Sequence, residues 1–574
     1  MNGPGGAELD WDAVDWRAAE DEVRRLRQRI FAATRAGDLK KVRGLQRLML
    51  RSRSNTLISV RQVTELNAGR FTAGVDQQIA TTAPAKAGLV TDIQRAPRQA
   101  WPVRRVFIPK ANGKLRGLGI PVISDRAQQA RVRNALEPEW EARFEPKSYG
   151  FRPGRGCHDA IEAIYQVVKG KAPKRQWILD ADLHSAFDHI DHSFLLGLIG
   201  SFPGREMIRG WLTAGVIEDG RFASTEEGAP QGGVISPLML NIVLHGMETA
   251  AGVRYFNRSR GGIETAPDAP VLVRYADDLV ALCHSRRHAE QVKARLAEWL
   301  KPRGLVFNED KTRIVHVDQG CDFLGFSIRR YHGKLALIKP SDDAVRRIRL
   351  RLRTEMRALL GGNAGAVMRK LTPIIRGWAA FYRTQVSSEV FSALDDYMWK
   401  LLYKWAKRTH PNKSRWWRMD RYFGRFNHSR NNRWVFGDKE SGAYLPKFAW
   451  TKIVRHVMVA GTASPDDPTL TQYWAGRRRR QPNGPLNALL LAQLKSQRGR
   501  CASCGTRLLP ADREPRSPEE WELWARAARA SLRKENNATD TGEDDQRLIH
   551  TTCRSRNTGS AEPALLTATP VRPA

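Results

Sequence analysis

Apolar residues recur at helical spacing from the start of the chain. Val23, Leu26 and Ile30 stand among charges between Trp11 and Arg35, and Val42, Leu45, Leu48 and Met49 continue the style between Gly37 and Arg53. The pattern predicts a basic helical N-terminal arm. From Trp101 to about Ile328 the texture changes to short β-branched runs divided by Gly, Pro and Asn, alternating with helical stretches, as an α/β or α+β domain requires. After Pro340, Ser341 is placed to cap a helix with Val345, Ile348, Leu352, Met356 and Leu359 on one stripe, arginines on the other faces, and Gly361-Gly362-Asn363 as its stop. From Leu371 to Phe423 the chain reads as helical, basic and rich in Trp and Tyr; it is then irregular to Trp474. Arg477–Arg480 followed by Gln481-Pro482-Asn483-Gly484-Pro485 predicts a charged linker into a last small domain.

At 574 residues the chain exceeds a single core and divides into several domains. Lys and Arg number 95 against 60 Asp and Glu, a net charge of +35 spread along the length, which points to a polyanionic partner. Charge alone says nucleic acid and not enzyme, since ribosome-associated proteins share it. No apolar run approaches the roughly 20 residues that span a bilayer, so no membrane is expected and the protein is expected in the cytoplasm. Of the 6 cysteines, Cys157, Cys283 and Cys321 are isolated, against a disulfide framework; only Cys501 and Cys504 look paired by design. Nothing in the pattern specifies an oligomeric state.

The sharpest chemical signal is Tyr275-Ala276-Asp277-Asp278, set between the apolar runs Val271–Val273 and Leu279–Leu282. Two strands flanking adjacent carboxylates put the acids at a hairpin tip, where like charges are costly unless cations neutralise them, and oxygen ligands suit Mg²⁺. A bare Asp-Asp pair would more often be an ordinary acidic turn. A second apolar run, Trp177–Leu183, carries Asp180 and Asp182 and then turns through Ser185, Phe187, Asp188 and His192. Two strands can therefore supply converging carboxylates to a pair of metals about 3.5–4 Å apart, with Asp182 and Asp277 as bridging ligands.

Tyr275–Asp278 resembles the active-site turn of reverse transcriptases, and Asp182-Leu183-His184-Ser185-Ala186-Phe187-Asp188 resembles their first palm aspartate motif. Other segments agree in order and spacing with the group II intron reverse transcriptase/maturase family. They are Leu45–Leu48 through Thr72–Asp76, Ile108-Pro109-Lys110 with Leu115–Pro121, Ser148–Arg155, Gly228–Leu238, Gly304-Leu305 with Asn308, Lys311 and Thr312, and Phe323–Phe326.

The resemblance implies an α+β right-hand polymerase with a basic helical N-terminal extension (1–80), fingers and palm (81–335), an α-helical thumb or maturase domain X (336–430), a basic DNA-binding region and linker (431–490) and a small C-terminal domain (491–574). Two Mg²⁺ ions would be held by Asp182, Asp277 and Asp278, with Leu183 beside them. Phe187 would lie under the nucleotide sugar and exclude a 2′-hydroxyl, unless it is simply core. Lys110 and Arg116 would grip the incoming triphosphate. Gln231 would contact the nascent pair, and Lys311 would stand near the triphosphate and donate a proton to the leaving group. In domain X, Arg376, Trp378, Tyr382, Arg408 and Lys413 would face RNA, although about half of the region's aromatics are expected in the helix core.

Gly499–Gly505 and Arg547–Cys553 resemble the opening and closing segments of the HNH endonuclease domain found in many intron proteins. Cys501, Cys504, His550 and Cys553 would be Zn²⁺ ligands if metal is retained. No histidine lies between Cys504 and His550, and Arg554-Ser555-Arg556-Asn557-Thr558 replaces the usual ending, so a degenerate nuclease fold is expected. The implied function is RNA-directed DNA synthesis, with intron RNA, an RNA template with DNA primer, target DNA and dNTPs as partners, and with splicing and retromobility as its purpose. Two alternatives stay open: a non-catalytic RNA-binding splicing cofactor, and a host-adopted reverse transcriptase in repair or defence. A homing nuclease is disfavoured.

Overall fold

The computed structural model describes residues 9–480, except 96–98, 110–112, 114, 171–172, 258–261, 332–334 and 428, and a few isolated positions beyond. Three helices open the chain, Trp16–Arg35, Leu39–Arg51 and Arg53–Arg61, whose caps Asp15, Asp38 and Ser52 accept from the backbone N–H groups of Ala18, Lys41 and Asn55. Val23, Leu26, Ile30, Val42, Leu45 and Met49 are buried as their spacing predicts. Leu48 is not: it is 50% exposed. The second helix turns Gln46 inward instead, where its amide donates to Glu139 Oε2 at 2.7 Å. These helices pack on the long buried helix Ile123–Glu141, so the N-terminal arm shares a core with the strand-containing region that follows.

That region holds two four-stranded sheets. In the first, Val103–Pro109 forms a hairpin with Leu115–Ile120 and pairs in parallel with Val216–Glu218, which itself pairs with Arg221–Ala223. The second is antiparallel throughout, in the order Arg313–His316, Trp177–Asp182, Asp278–Cys283 and Val271–Tyr275. Its side chains alternate between two cores. Ile178, Val271, Val273, Val280 and Leu282 meet Ile161 and Ile164 of the helix Cys157–Val168, while Leu179, Ala181, Leu272, Leu279 and Ala281 meet Val292 and Leu296 of the helix Arg286–Leu300. Burial on both faces fixes the sheet's register, and with it the position of its acidic edge.

A three-stranded antiparallel sheet, Cys321–Phe323, Phe326–Tyr331 and Leu335–Pro340, leads into four helices, Asp342–Ala358, Ala364–Tyr382, Ser388–Thr409 and Arg415–Tyr422. Ser341 caps the first of these, accepting from Ala344 N at 3.2 Å, and Ile348, Leu352 and Met356 are buried. Their apolar faces join one core of the second four-stranded sheet in one continuous cluster.

Residues 451–477, expected as part of a DNA-binding region and linker, run back across the molecule. Val454 N donates to Arg383 O at 3.0 Å, Val459 N to Asp159 Oδ1 at 2.7 Å, and Arg155 Nη2 to Gly461 O at 2.7 Å. Arg27 Nη2 reaches Asp466 Oδ2 at 2.6 Å. This stretch therefore ties the helical region to the helix Cys157–Val168, the loop before it and the first helix. Arg477–Arg480, expected in the linker, ends the helix Thr471–Arg480. Among the described residues, no helix is long and apolar enough to cross a membrane.

Candidate active site

Asp182 ends one central strand and Asp278 begins its neighbour, and the two residues are register partners. Tyr275 pairs with Asp278 on the other side, so Ala276 and Asp277 form a two-residue turn. Ala276 has φ +60°, a left-handed conformation that costs a non-glycine residue about 1–2 kcal/mol and that tight turns at functional sites retain. Against the turn lies Gly150, where a Cβ would sit 2.2 Å from Ala276 N. Only glycine allows that approach.

Two of the three acids are shifted by their surroundings. Burial and the neighbouring Asp277 and Asp182 push the Asp278 carboxyl up to about 8, and burial followed by Asp182 raises Asp277. Lys311 Nζ reaches Asp182 Oδ2 at 2.5 Å, and that bond raises the lysine in turn. The lysine is delivered by a turn stapled to the strand end: Asn308 N donates to Asp182 O at 2.8 Å and Lys311 N to Asn308 O at 3.1 Å. Arg116, exposed on the hairpin of Val103–Pro109 and Leu115–Ile120, partly offsets the rise at Asp277. Among the described residues no group of three or more His, Cys, Asp or Glu stands as a ready metal cage. Even so, three converging oxygen-donating side chains, two of them raised by burial and neighbouring acids, fit a site that divalent cations complete. Asp180, one pleat back on the same face, instead pairs with Arg313 Nε at 3.0 Å.

Phe187 is 8% exposed and lies edge-on to Phe151, with ring centroids 6.2 Å apart. Its carbonyl accepts from Ala229 N at 2.6 Å, which seats the Gly228–Gly233 run beside the acids. Gln231 belongs to this run, and its carbonyl accepts from Gly119 N at 2.9 Å, joining it to the strand that carries Arg116. The structure thus brings together Asp182, Leu183, Asp277, Asp278, Arg116, Phe187, Gln231 and Lys311 around one edge. Lys110 lies outside the described residues, as do Cys501, Cys504, His550 and Cys553.

The expected RNA contacts divide. Arg376, Arg408 and Lys413 are exposed. Trp378 and Tyr382 are each 3% exposed and pack on each other with centroids 4.3 Å apart, so neither ring can stack on a base. Their spacing from Leu371, Ile374 and Ile375 on one helix gave the signal, because all of them share its buried stripe. In this region the large aromatics most exposed to solvent are Trp416, 83% exposed, with Trp417 and Trp434; Lys413 lies over Trp417 and Arg433 over Trp434. Sequence reasoning also assigned nothing to Arg274, Ser148 and Asn241, which line the underside of the turn.

The family model of the reverse transcriptase (RNA-dependent DNA polymerase) matches residues 108–328, that of the N-terminal domain of reverse transcriptase matches 11–93, and that of the group II intron maturase-specific domain matches 345–423. Protein YkfC of Escherichia coli is 35% identical over 321 residues, covering 50% of this chain and 84% of that protein. Group II intron-encoded protein LtrA of Lactococcus lactis is 32% identical over 284 residues, 40% of this chain and 47% of that protein. The chain belongs to the group II intron reverse transcriptase and maturase family. Its alignment spans about half the length of LtrA, 47%. Maturase-like protein 1 of Euglena gracilis is 22% identical over 373 residues, 64% of this chain and 76% of that protein. Reverse transcriptase and maturase domains therefore share the chain, the polymerase domain being of the RNA-dependent DNA polymerase type, in a fold of mixed helix and strand. Reverse transcriptases use divalent metal ions, and nucleic acid, with intron RNA for the maturase domain, is the partner class that these domains imply.

Proposed function

We propose that this protein copies RNA into cDNA by two-metal phosphoryl transfer and binds group II intron RNA to assist its splicing and mobility. The observation that carries the reading is the convergence of Asp182, Asp277 and Asp278 from two register-locked strands, with Lys311 and Arg116 beside them. Asp182, Asp277 and Asp278 would hold the ions, with the Leu183 main chain beside them. Two Mg²⁺, when bound, would activate the primer 3′-hydroxyl and neutralise the leaving pyrophosphate.

The protein's own groups then have distinct work. Lys311, raised by its bond to Asp182, is protonated at neutral pH and is suited to meet the triphosphate as a point charge and proton donor. Arg116, with Lys110, would grip the phosphates. The Phe187 ring would close the sugar pocket against a 2′-hydroxyl, and Gln231 would meet the nascent pair. The helical region from 336 to 430 would serve as thumb and maturase domain, with Arg376, Arg408 and Lys413 toward RNA. Residues 1–80 would form the helical extension and 81–335 the fingers and palm, while 431–490 would contact target DNA. The protein would work in the cytoplasm. In the last segment, 491–574, Cys501, Cys504, His550 and Cys553 have the chemistry to hold Zn²⁺, but no histidine stands between Cys504 and His550 to activate water. Target-strand nicking is therefore absent from the proposal, and priming would come from elsewhere, as at a replication fork.

Primer extension on an RNA template with dNTPs and Mg²⁺, comparing the intact protein with Asp277→Asn, tests the reading. Extension that disappears in the variant supports it. Tight RNA binding without extension by the intact protein refutes the enzyme and leaves the splicing cofactor.

A further inference from the structure

Arg274 precedes the catalytic turn and is 2% exposed, yet a guanidinium stays charged at any pH at which the protein folds. Its Nη1 donates to Ala276 O at 3.1 Å and to Asn241 Oδ1 at 2.9 Å, and its Nη2 donates to Ser148 Oγ at 2.6 Å. Among the described residues no ion pair to a carboxylate accompanies these bonds. A buried charge without a directly paired counter-charge is a poor device for stability alone, since an apolar side chain of the same volume would pack there without desolvation. What an apolar side chain cannot do is hold the carbonyl two residues ahead.

That carbonyl belongs to Ala276, the left-handed residue of the turn with φ +60°. Asn241, from the helix Ser236–Val243, completes a closed circuit: its Oδ1 receives Arg274 while its Nδ2 donates to Gly150 O at 2.9 Å. Gly150 in turn abuts the Ala276 main chain. The peptide between Ala276 and Asp277 is thus gripped at its oxygen from below, while Gly150 crowds the peptide before it, between Tyr275 and Ala276, and the next side chain along is the Asp277 carboxylate. We propose that Arg274, oriented by Asn241, is a positioning residue for polymerisation: it fixes the Ala276–Asp277 peptide and so the direction in which Asp277 presents its carboxylate. The inference deepens the polymerase reading above and rests on it.

The test measures kcat, dNTP KM, primer–template affinity and the Mg²⁺ concentration for half-maximal rate in the full chain, for the wild type, Asp277→Asn, Arg274→Lys, Arg274→Met and Asn241→Ala. A small misplacement of a reacting group costs on the order of 100-fold in rate, so Arg274→Met is expected to lose about that much kcat. Its KM and template affinity should stay within about threefold of the wild type, and its Mg²⁺ requirement should rise. Arg274→Lys, whose ammonium reaches one acceptor but cannot fork, should give an intermediate kcat. An Arg274→Met rate within about threefold of the wild type overturns the inference, as does a parallel loss of kcat, template affinity and thermal midpoint, the mark of a purely structural role. Should Arg274→Met not fold, Asn241→Ala decides: lowered kcat at constant KM supports the inference, and unchanged kcat overturns it. Activity in the wild type that vanishes in Asp277→Asn keeps the polymerase reading standing whatever Arg274 shows; a wild type without extension overturns both.

Discussion

The Arg152–Glu141 pair offers the most quantitative prediction on stability. Both side chains are sealed from solvent, at 0% and 1% exposure. Arg152 Nε and Nη2 meet the two oxygens of Glu141 at 3.0 and 2.9 Å, and Nη1 donates to the carbonyls of Glu145 and Ser148 at 2.8 and 2.9 Å. Arg152→Met removes all four bonds and leaves a carboxylate and two carbonyls buried without this donor. Loss of one partner of a buried pair costs about 3–5 kcal/mol. The cost must depend on pH, because burial already raises the Glu141 carboxyl and losing the arginine raises it further. In the variant the folded state then binds a proton that the unfolded state releases, so stability falls as pH rises, and the deficit is smaller at pH 5 than at pH 8. Replacing both residues, Arg152→Met with Glu141→Leu, removes the unpaired charge and should recover most of the loss. Urea unfolding of the four proteins at the two pH values is the assay. A single-mutant loss below about 1 kcal/mol, or a double mutant no more stable than the single, refutes the reasoning.

Four further outcomes are expected. Asp395 accepts from Phe448 N and Ala449 N, yet burial pushes its carboxyl up to about 6 from 3.8. The folded state therefore holds the proton longer, and stability present below about pH 4 is lost as pH rises toward 6. The stability advantage of Asp395→Asn over the wild type should grow from pH 4.5 to 7, and an equal gap at both refutes the assignment. Phe187→Val, which keeps part of the buried apolar volume, should raise rNTP use relative to dNTP by at least tenfold, about 1.4 kcal/mol, in single-nucleotide extension; an unchanged ratio makes the ring core alone. Trp416→Ala should weaken RNA binding by about 1–3 kcal/mol in fluorescence anisotropy without changing the unfolding midpoint. Trp378→Ala should destabilise the fold by about 3–5 kcal/mol, and the reverse pattern would return Trp378 to the RNA surface.

What sequence could show divides by the range of the interaction. The helix after Ser341 was legible because its cap and its stripe Ile348, Leu352, Met356 lie within a few turns of one another. Leu48 was misplaced because position 48 lies just off the stripe 42, 45, 49, and what turns inward at the edge is Gln46, whose partner Glu139 lies 93 residues away. The segment 451–477 was read only as an irregular part of a DNA-binding region and linker because it has no periodicity of its own. Its order comes from bonds such as His456 to Asp159 across 297 residues and Arg27 to Asp466 across 439. Trp378 and Tyr382 were read as RNA-facing from residue type, although their spacing already marked them as core.

The active edge shows the same division within a few ångströms. Asp182, Asp277 and Asp278 could be named from the alternation of their strands and from family resemblance, because each motif is local. Their convergence is not local. It depends on Asp182 meeting Asp278 in register, and that register is enforced by two cores built from opposite faces of the same strands. Arg274 sits in an apolar strand where the face pattern predicts another Val or Leu, and it interrupts that pattern. A charged residue that breaks a buried face must be bonded to something that an apolar one cannot hold. Here its bonds go to the carbonyl of the strained turn and to Asn241, so the departure from the pattern, and not the pattern, marks the residue that we propose aims the Asp277 carboxylate.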